Sequence, residues 1–234
     1  MKRTSEVKKV AVLLLLLIVP GVVLIFLSKA DHKFAILPYY GEKEVLYDAS
    51  GKAPDTLYHR VPDFSLINQE GNQVSFSDYE GKIIVADFFF TTCPTICPIM
   101  TKQMTRLQWL LEDNSYDDVH FLSYTVNPEH DTAEVLKDYA DEQGADLSSW
   151  TFITGDQEEI FELGFEGYLL STQEDELAPG GFLHSSMFVL LDRDRHIRGF
   201  YDGTSTKEVD DLVTDIKMLK KQEVMRPSEI VKNQ

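Results

Sequence analysis

Apolar and polar positions along the chain follow two periods, which predicts a domain built from both strands and helices. Short runs rich in β-branched and aromatic residues predict strands. They lie at Phe64–Asn68, Gln73–Phe76, Lys82–Phe90, Val119–Val126, Trp150–Thr154, His184–Leu191 and His196–Tyr201. Apolar residues at helical spacing predict helices between these strands. They lie at Pro98–Asn114, Thr132–Gly144, Asp156–Glu166 and Thr206–Lys221.

The order of these elements favours an α/β domain with a mixed central sheet. The long apolar strands Lys82–Phe90 and Val119–Val126 flank the first helix, which predicts that they pair in parallel. Residues Gln69–Asn72 have the composition of a hairpin turn, and Asp192–Arg195 separate the last two strands. This is the order of a thioredoxin-like fold, with flanking helices and an N-terminal hairpin extension.

One long apolar segment, Val10–Leu27, precedes the domain and carries no charged residue. As a helix it would be roughly 27 Å long, about the thickness of the hydrocarbon core of a bilayer. Residues 1–9 are rich in Lys and Arg, so we expect them to stay cytoplasmic and the domain to lie on the other side of the membrane. A cleaved signal peptide is the less favoured alternative, because the run is long and Ser28–Lys29–Ala30 is a poor cleavage site.

The predicted organisation therefore has five parts. Residues 1–9 are a basic cytoplasmic flank, 10–27 a transmembrane anchor, 28–60 a connector without a sustained period, 61–222 the thioredoxin-like domain, and 223–234 a polar tail. The formal net charge of −17 argues against a nucleic-acid partner, because phosphates would be repelled. We interpret the acidic surface as solubilising.

Cys93 and Cys97, the only cysteines of the chain, lie between a predicted buried strand and a predicted helix start. The helix dipole at such a position favours a thiolate over a thiol. A disulfide between them would close a very short loop and add little stability through chain entropy. The pair is therefore better explained by metal binding or by reversible redox chemistry.

The metal hypothesis needs a third ligand. Two thiolates four residues apart are soft donors that suit Cu(I), and histidine is the natural addition. His184 is the best candidate, since it follows the acidic, glycine-ended loop Ser171–Gly181, which a thioredoxin-like fold brings against the cysteine turn. His130 is a weaker candidate, as a supporting or transfer residue. The remaining histidines, His32, His59, His120 and His196, are assigned no role.

The redox hypothesis rests on Asp87, inside the apolar strand six residues before Cys93. Thioredoxins have a buried acid at this offset, where it moves protons for the thiols, and desolvation would raise its pKa. The alternative is an acid at a strand edge, paired with a lysine or water. Against a general disulfide reductase, Leu183–Met187 contains no proline where such enzymes place a cis-proline.

Three motifs in this order resemble the SCO/SenC family of membrane-anchored, thioredoxin-fold copper proteins, which help to assemble the binuclear copper centre of cytochrome oxidase. The resemblance extends over roughly Val61–Lys221 together with the anchor. Its motifs are the C-x-x-x-C-P site within Phe90–Pro98, the segment Asn127–Thr132, and His184–Ser186 before an apolar strand. The family often has histidine, aspartate and aspartate where this chain has Thr92, Thr95 and Asn127. None of these is a ligand, so the departures concern partner docking and redox tuning.

The resemblance implies that Cys93, Cys97 and His184 bind one copper ion, as Cu(I) or Cu(II). It implies an extracytoplasmic copper chaperone, held in the inner (cytoplasmic) membrane by a single pass with its N-terminus inside. Its partner would be the copper-site subunit of cytochrome oxidase or another copper carrier. The alternative is a membrane-anchored thiol–disulfide oxidoreductase that keeps partner cysteines reduced, using Cys93, Cys97 and Asp87. The sequence leaves open whether the protein is an enzyme.

Overall fold

The protein divides into two units, Met1–Ala35 and Ile36–Gln234, in this computed structural model. The structure describes residues 15–16, 18–20, 36–46, 55–112, 114–170, 173–174, 182–183 and 185–225. In the first unit, Leu15, Leu16 and Ile18–Pro20 are helical and exposed. Most of the predicted anchor lies outside the described residues, and no described helix is both long and apolar enough to cross a bilayer.

The second unit is built from strands and helices in the predicted alternation. Its strands are β1 (Lys43–Leu46), β2 (Asp55–Tyr58), β3 (Leu66–Asn68), β4 (Gln73–Val74), β5 (Ile83–Phe89), β6 (Val119–Thr125), β7 (Trp150–Thr154), β8 (Gln173–Glu174), β9 (Phe182–Leu183), β10 (Met187–Leu191) and β11 (Ile197–Asp202). Its helices are α1 (Cys97–Leu110), α2 (Ala133–Gln143), α3 (Gln157–Glu162), which continues as a π-helical turn over Leu163–Gly167, and α4 (Thr206–Met225). Phe76–Tyr79 and Asn114–Tyr116 form 3-10 turns.

The central sheet has the strand order β11–β10–β5–β6–β7–β3–β4 among the described residues. Strand β5 pairs in parallel with β6, and β6 with β7, whereas the other neighbours pair antiparallel. The predicted parallel core, the N-terminal hairpin β3–β4 and the final hairpin β10–β11 are therefore confirmed. All seven residues of β5 are buried, as expected for a strand covered on both faces.

Helix boundaries follow from local chemistry. The Thr132 hydroxyl accepts a hydrogen bond from the Val135 amide and so caps the start of α2, while Gly144, at φ 67°, ends it in a left-handed conformation. On α1, Met100 and Met104 are fully buried. Both side chains pack in the hydrophobic core.

The sequence analysis missed structure in the connector and in the acidic loop. Strands β1 and β2 pair antiparallel, from Lys43 opposite Tyr58 to Leu46 opposite Asp55. Within the segment predicted as the acidic loop, β8 pairs with β9, which starts just after it. Both hairpins are short, and all four residues of β1 are exposed, so β1 lacks the alternating burial that makes a strand recognisable from sequence.

Arg198, at the start of β11, fixes the beginning of the second unit to the sheet. Its guanidinium donates to the Leu37 carbonyl at 2.6 Å, to the Pro38 carbonyl at 3.0 Å and to the Asp192 carboxylate at 3.0 Å. It also stacks on the Tyr39 ring, 4.1 Å from its centroid. Burial alone raises the pKa of Asp192, but the hydrogen bond and charge of His196 and the charge of Arg198 outweigh it and lower that pKa.

Replacing Arg198 by alanine should lower the free energy of unfolding by about 3–5 kcal/mol, because the buried Asp192 carboxylate would lose its guanidinium partner. Urea unfolding of the purified protein measures the change. Lys207→Ala is the control, since its pair with Asp211 is exposed to solvent and contributes little to stability. Equal losses for the two variants would contradict the assignment of Arg198 as a buried anchor.

Candidate metal and redox site

Two loops meet at the edge of the sheet where β5 and β6 end. The two strands are parallel, with Phe89 of β5 opposite Thr125 of β6. The loops that follow them therefore leave the sheet at the same edge. The cysteines follow β5, and the segment from Asn127 to Thr132 follows β6. The parallel pairing thus brings together two of the three motifs that the sequence analysis singled out.

Both cysteines are buried at this edge. Cys97 is the first residue of α1 and is 1 % exposed, while Cys93 is 5 % exposed. They do not form a disulfide, and each thiol interacts with the other. The Sγ atom of Cys93 lies 3.6 Å from the Thr95 hydroxyl. Two adjacent thiols shielded from water are a donor set that fits a soft metal ion such as Cu(I).

The expected lowering of the thiol pKa at the helix start is wrong for Cys97. Burial raises the pKa of its thiol; a backbone hydrogen bond from Phe90 lowers it in part, and Cys93 raises it further. A helix N-terminus contributes about 0.3–1 kcal/mol to an exposed anion, which is too little to offset desolvation of a buried thiol. Such a thiol loses its proton when a metal ion takes the proton's place.

Asp87 lies beneath the cysteines in the middle of the sheet, because β5 is flanked by β10 and β6. Its carboxylate is 2 % exposed and accepts a 2.5 Å hydrogen bond from the Ser123 hydroxyl, which in turn accepts one from the Trp150 indole at 2.9 Å. Desolvation raises the pKa of Asp87 to about 7, although the Ser123 bond opposes the rise. The interpretation of Asp87 as an acid at a strand edge is therefore wrong.

Tyr139 of α2 also borders this region. Its hydroxyl lies 2.7 Å from the Thr101 hydroxyl of α1, and its ring packs against Phe89. Burial raises the pKa of Tyr139, and the charges of Cys97 and Asp87 raise it further. Tyr139 therefore connects α2 to α1 next to the thiol site.

Asp131 joins the two loops, a role that the sequence analysis did not predict. The carboxylate is completely buried and accepts hydrogen bonds from the Thr91 amide at 3.0 Å, the Thr91 hydroxyl at 2.5 Å and the Thr125 hydroxyl at 2.5 Å. A fourth bond, 2.8 Å long, comes from Nδ1 of His130. Thr132 caps the start of α2, so Asp131 is not the capping residue of this helix. The motif Asn127–Thr132, which contains Asp131, was the signal in the sequence that pointed to this segment.

The predicted ligand His184 lies outside the described residues. Among the histidines assigned no role, His59 binds the Gly167 carbonyl at 2.7 Å, and His120 bonds Thr151 at 2.9 Å while burial and then the charge of Lys82 lower its pKa to about 4. His196 lies at the other end of the sheet. Its ligand atoms lie within 4.8 Å of those of Asp192 and Asp194, but Asp192 already binds Arg198.

A family model described as SCO1/SenC matches residues 52–221. The chain belongs to the SCO1/SenC family. The family predicted from the three sequence motifs is thereby confirmed. The match includes both cysteines and the segment that contains Asp131.

Three proteins illustrate how similar the family members are. The SCO1 protein homolog of Bacillus subtilis is 35 % identical over 164 residues, which are 70 % of this chain and 84 % of the relative. The structure of BsSco, described as a member of the Sco family of cytochrome c oxidase assembly proteins with a disulfide switch, has 34 % identity and a TM-score of 0.62 over 69 % of this chain and 93 % of that one. Copper-bound ScoI of Arabidopsis thaliana has 26 % identity and a TM-score of 0.57, over 67 % and 97 %.

The SCO1/SenC relatives also bear out the thioredoxin-like α/β fold with a mixed sheet. Their structures align with about two thirds of this chain, and the aligned share is close to the whole of each solved chain.

Replacing Asp87 by asparagine should change how stability depends on pH. The ordinary pKa of 3.8 rises to about 7 in the native protein, so the native state binds the extra proton between these values. The wild type therefore loses stability as pH rises through this window, and the loss is complete above about pH 7. Asparagine cannot ionise, so the variant should be the more stable protein at pH 8, by on the order of a few kcal/mol.

Urea unfolding of both proteins at pH 5 and pH 8 measures this difference. Asp202→Asn is the control, because hydrogen bonds from Thr204 lower the pKa of Asp202 and the carboxylate is ionised at both pH values. Its difference from the wild type should stay constant. A constant difference for Asp87→Asn as well would contradict the raised pKa.

Proposed function

We propose that this SCO1/SenC protein is a copper-binding chaperone that delivers copper to, or matures, the copper centre of cytochrome c oxidase. The observation that carries the proposal is the pair of buried, mutually contacting thiols of Cys93 and Cys97 at the sheet edge. Membership of the family, which includes a copper-bound ScoI and a cytochrome c oxidase assembly protein, supports it. Copper is then the cargo of the protein.

The proposed site consists of Cys93, Cys97 and His184 and holds one copper ion. The direction of β10 supports His184 as the third ligand. Strand β10 is antiparallel to β5, so it starts at the sheet edge where β5 ends and the cysteine loop begins. Met187, the first residue of β10, follows His184 by three positions. Thiolates favour Cu(I) and imidazole suits Cu(II) as well, so this mixed set accommodates both oxidation states.

The chemistry of the chain's own residues limits when copper can be loaded. Each thiol must release a proton before its sulfur binds the ion, which makes loading dependent on pH. Oxidation of Cys93 and Cys97 to a disulfide would remove both sulfur donors and block loading. The proposed chaperone therefore works only with its cysteines reduced.

We further propose that the domain is tethered to the inner membrane. The uncharged segment Val10–Leu27, after a basic flank of residues 1–9, supports a single pass with the N-terminus inside. The domain over 61–222 and the tail over 223–234 would then be extracytoplasmic. A tether would keep the domain near membrane-bound oxidase subunits.

His184→Ala should weaken Cu(II) binding by at least about a hundredfold, because it removes a ligand, and even a supporting residue contributes tenfold or more. Competition titration of the reduced protein, followed by copper–thiolate absorption, measures the affinity. His59→Ala is the matched control, since its ring is bonded to the Gly167 carbonyl. Wild-type affinity and spectrum in His184→Ala would overturn the three-ligand site.

A thiol–disulfide oxidoreductase is the second candidate, and Asp87 is the observation that favours it. A buried carboxylate with a pKa of about 7, close enough to Cys97 to raise the pKa of that thiol, is suited to moving protons near neutral pH. In this function Cys93 and Cys97 would reduce a partner disulfide to two thiols and become a disulfide themselves, and an external dithiol reductant would return them to the reduced form.

Metal-free turnover of a protein disulfide distinguishes the two functions. The oxidoreductase predicts turnover that is unaffected by His184→Ala and reduced by about a hundredfold or more in Asp87→Asn. The chaperone predicts stoichiometric copper uptake and no such catalysis. Catalysis that persists in Asp87→Asn would remove the proton-transfer role of Asp87.

A further inference from the structure

His130 is held in one orientation by the buried carboxylate of Asp131. Its Nδ1 atom lies 2.8 Å from Oδ1, and the other three partners of this carboxylate are an amide and two hydroxyls. All of these groups donate to the carboxylate, so Nδ1 of His130 carries the hydrogen. The lone pair of the neutral ring is then on Nε2, directed away from Asp131.

The ring lies beside the loop that carries the cysteines. The Thr91 hydroxyl and Nδ1 of His130 bond the same oxygen of Asp131, and Thr91 precedes Cys93 by two residues. The side chain of His130 is 52 % exposed, whereas Cys93 and Cys97 are 5 % and 1 % exposed. A solvent-facing imidazole therefore lies at the same sheet edge as two sulfur donors that water barely reaches.

The pairing of His130 with Asp131 is one that metal-binding histidines also make. Such residues commonly donate their second ring N–H to a carboxylate, which fixes the tautomer and makes the free nitrogen a better donor. Imidazole is also a good ligand for Cu(II), and a buried metal site needs an entry path. We propose that Nε2 of His130 is an accessory copper ligand that captures the incoming ion and passes it to Cys93 and Cys97; this rests on the proposed copper function.

The transfer is a ligand exchange without electron transfer. The bond from copper to Nε2 of His130 breaks as a bond from copper to Sγ of a cysteine forms. The thiol proton goes to water, and copper keeps its oxidation state. His130 keeps its hydrogen bond to Asp131.

His196 provides a matched control. It is also paired with a buried aspartate, since its Nδ1 lies 3.2 Å from Asp192, but its side chain is only 22 % exposed and lies at the other end of the sheet. A general effect of removing an aspartate-paired histidine would appear in both variants. An effect of the position beside the cysteine loop would appear only in His130→Ala.

The first experiment measures the rate of loading. Reduced protein is mixed rapidly with Cu(II), and copper–thiolate absorption is followed with time. His130→Ala should load about tenfold more slowly than the wild type, while its final absorption stays unchanged and His196→Ala loads at the wild-type rate. Loading of His130→Ala at the wild-type rate, or equal slowing in both variants, would overturn the entry role.

The second experiment does not depend on the thiol site. In a Cys93→Ser, Cys97→Ser, His184→Ala variant, substoichiometric Cu(II) should broaden the imidazole NMR signals of His130 before those of His196, through paramagnetic relaxation. Equal broadening of the two, or none at His130, would overturn the accessory site. Absence of copper–thiolate absorption in the wild-type protein would instead overturn the proposed function, and the broadening would still decide whether His130 binds copper.

Discussion

The carboxylate of Asp131 is the constraint on which the candidate site depends. Parallel pairing of β5 and β6 delivers two loops to one edge of the sheet, but it does not fix how they lie against each other. Asp131 does so, because its oxygens accept bonds from Thr91 in one loop and from Thr125 and His130 around the other. A buried charge is tolerated only where several donors replace its hydration, so these bonds make the loop arrangement specific.

Three buried aspartates have different hydrogen-bond partners, and these partners decide what each carboxylate does. Asp131 is surrounded by amide, hydroxyl and imidazole donors, and Asp192 is paired with Arg198 and two amides of its own turn. Asp87 has one hydroxyl partner, Ser123, and a raised pKa. Asp87 is therefore suited to exchanging a proton near neutral pH, while the hydrogen bonds of Asp131 and Asp192 stabilise loops.

Periodicity predicted the sheet and helices well, because burial of one face of a helix, or of both faces of a strand, sets the spacing of apolar residues along the sequence. The buried strand Ile83–Phe89, apolar except for Asp87, and the methionines of α1 are examples. Three properties of the site were not predictable in this way. The network around Asp131, the contact of Tyr139 with Thr101 and the raised pKa of Cys97 depend on which side chains from distant segments meet. A residue's own neighbours in sequence do not encode that.

The attachment of Ile36–Tyr40 to β11 has a mechanical consequence. Strand β11 runs parallel to β5 through the intervening antiparallel β10, so its first residues lie where β5 begins, and the cysteine loop lies where β5 ends. Tension on the chain before Leu37 would be transmitted to the sheet through the hydrogen bonds of Arg198 and through the hydrogen bond from the Tyr40 amide to the Ile197 carbonyl. The length of the sheet separates this point of attachment from the thiols, so we expect tension on the chain to have little effect on the geometry of the two sulfur donors.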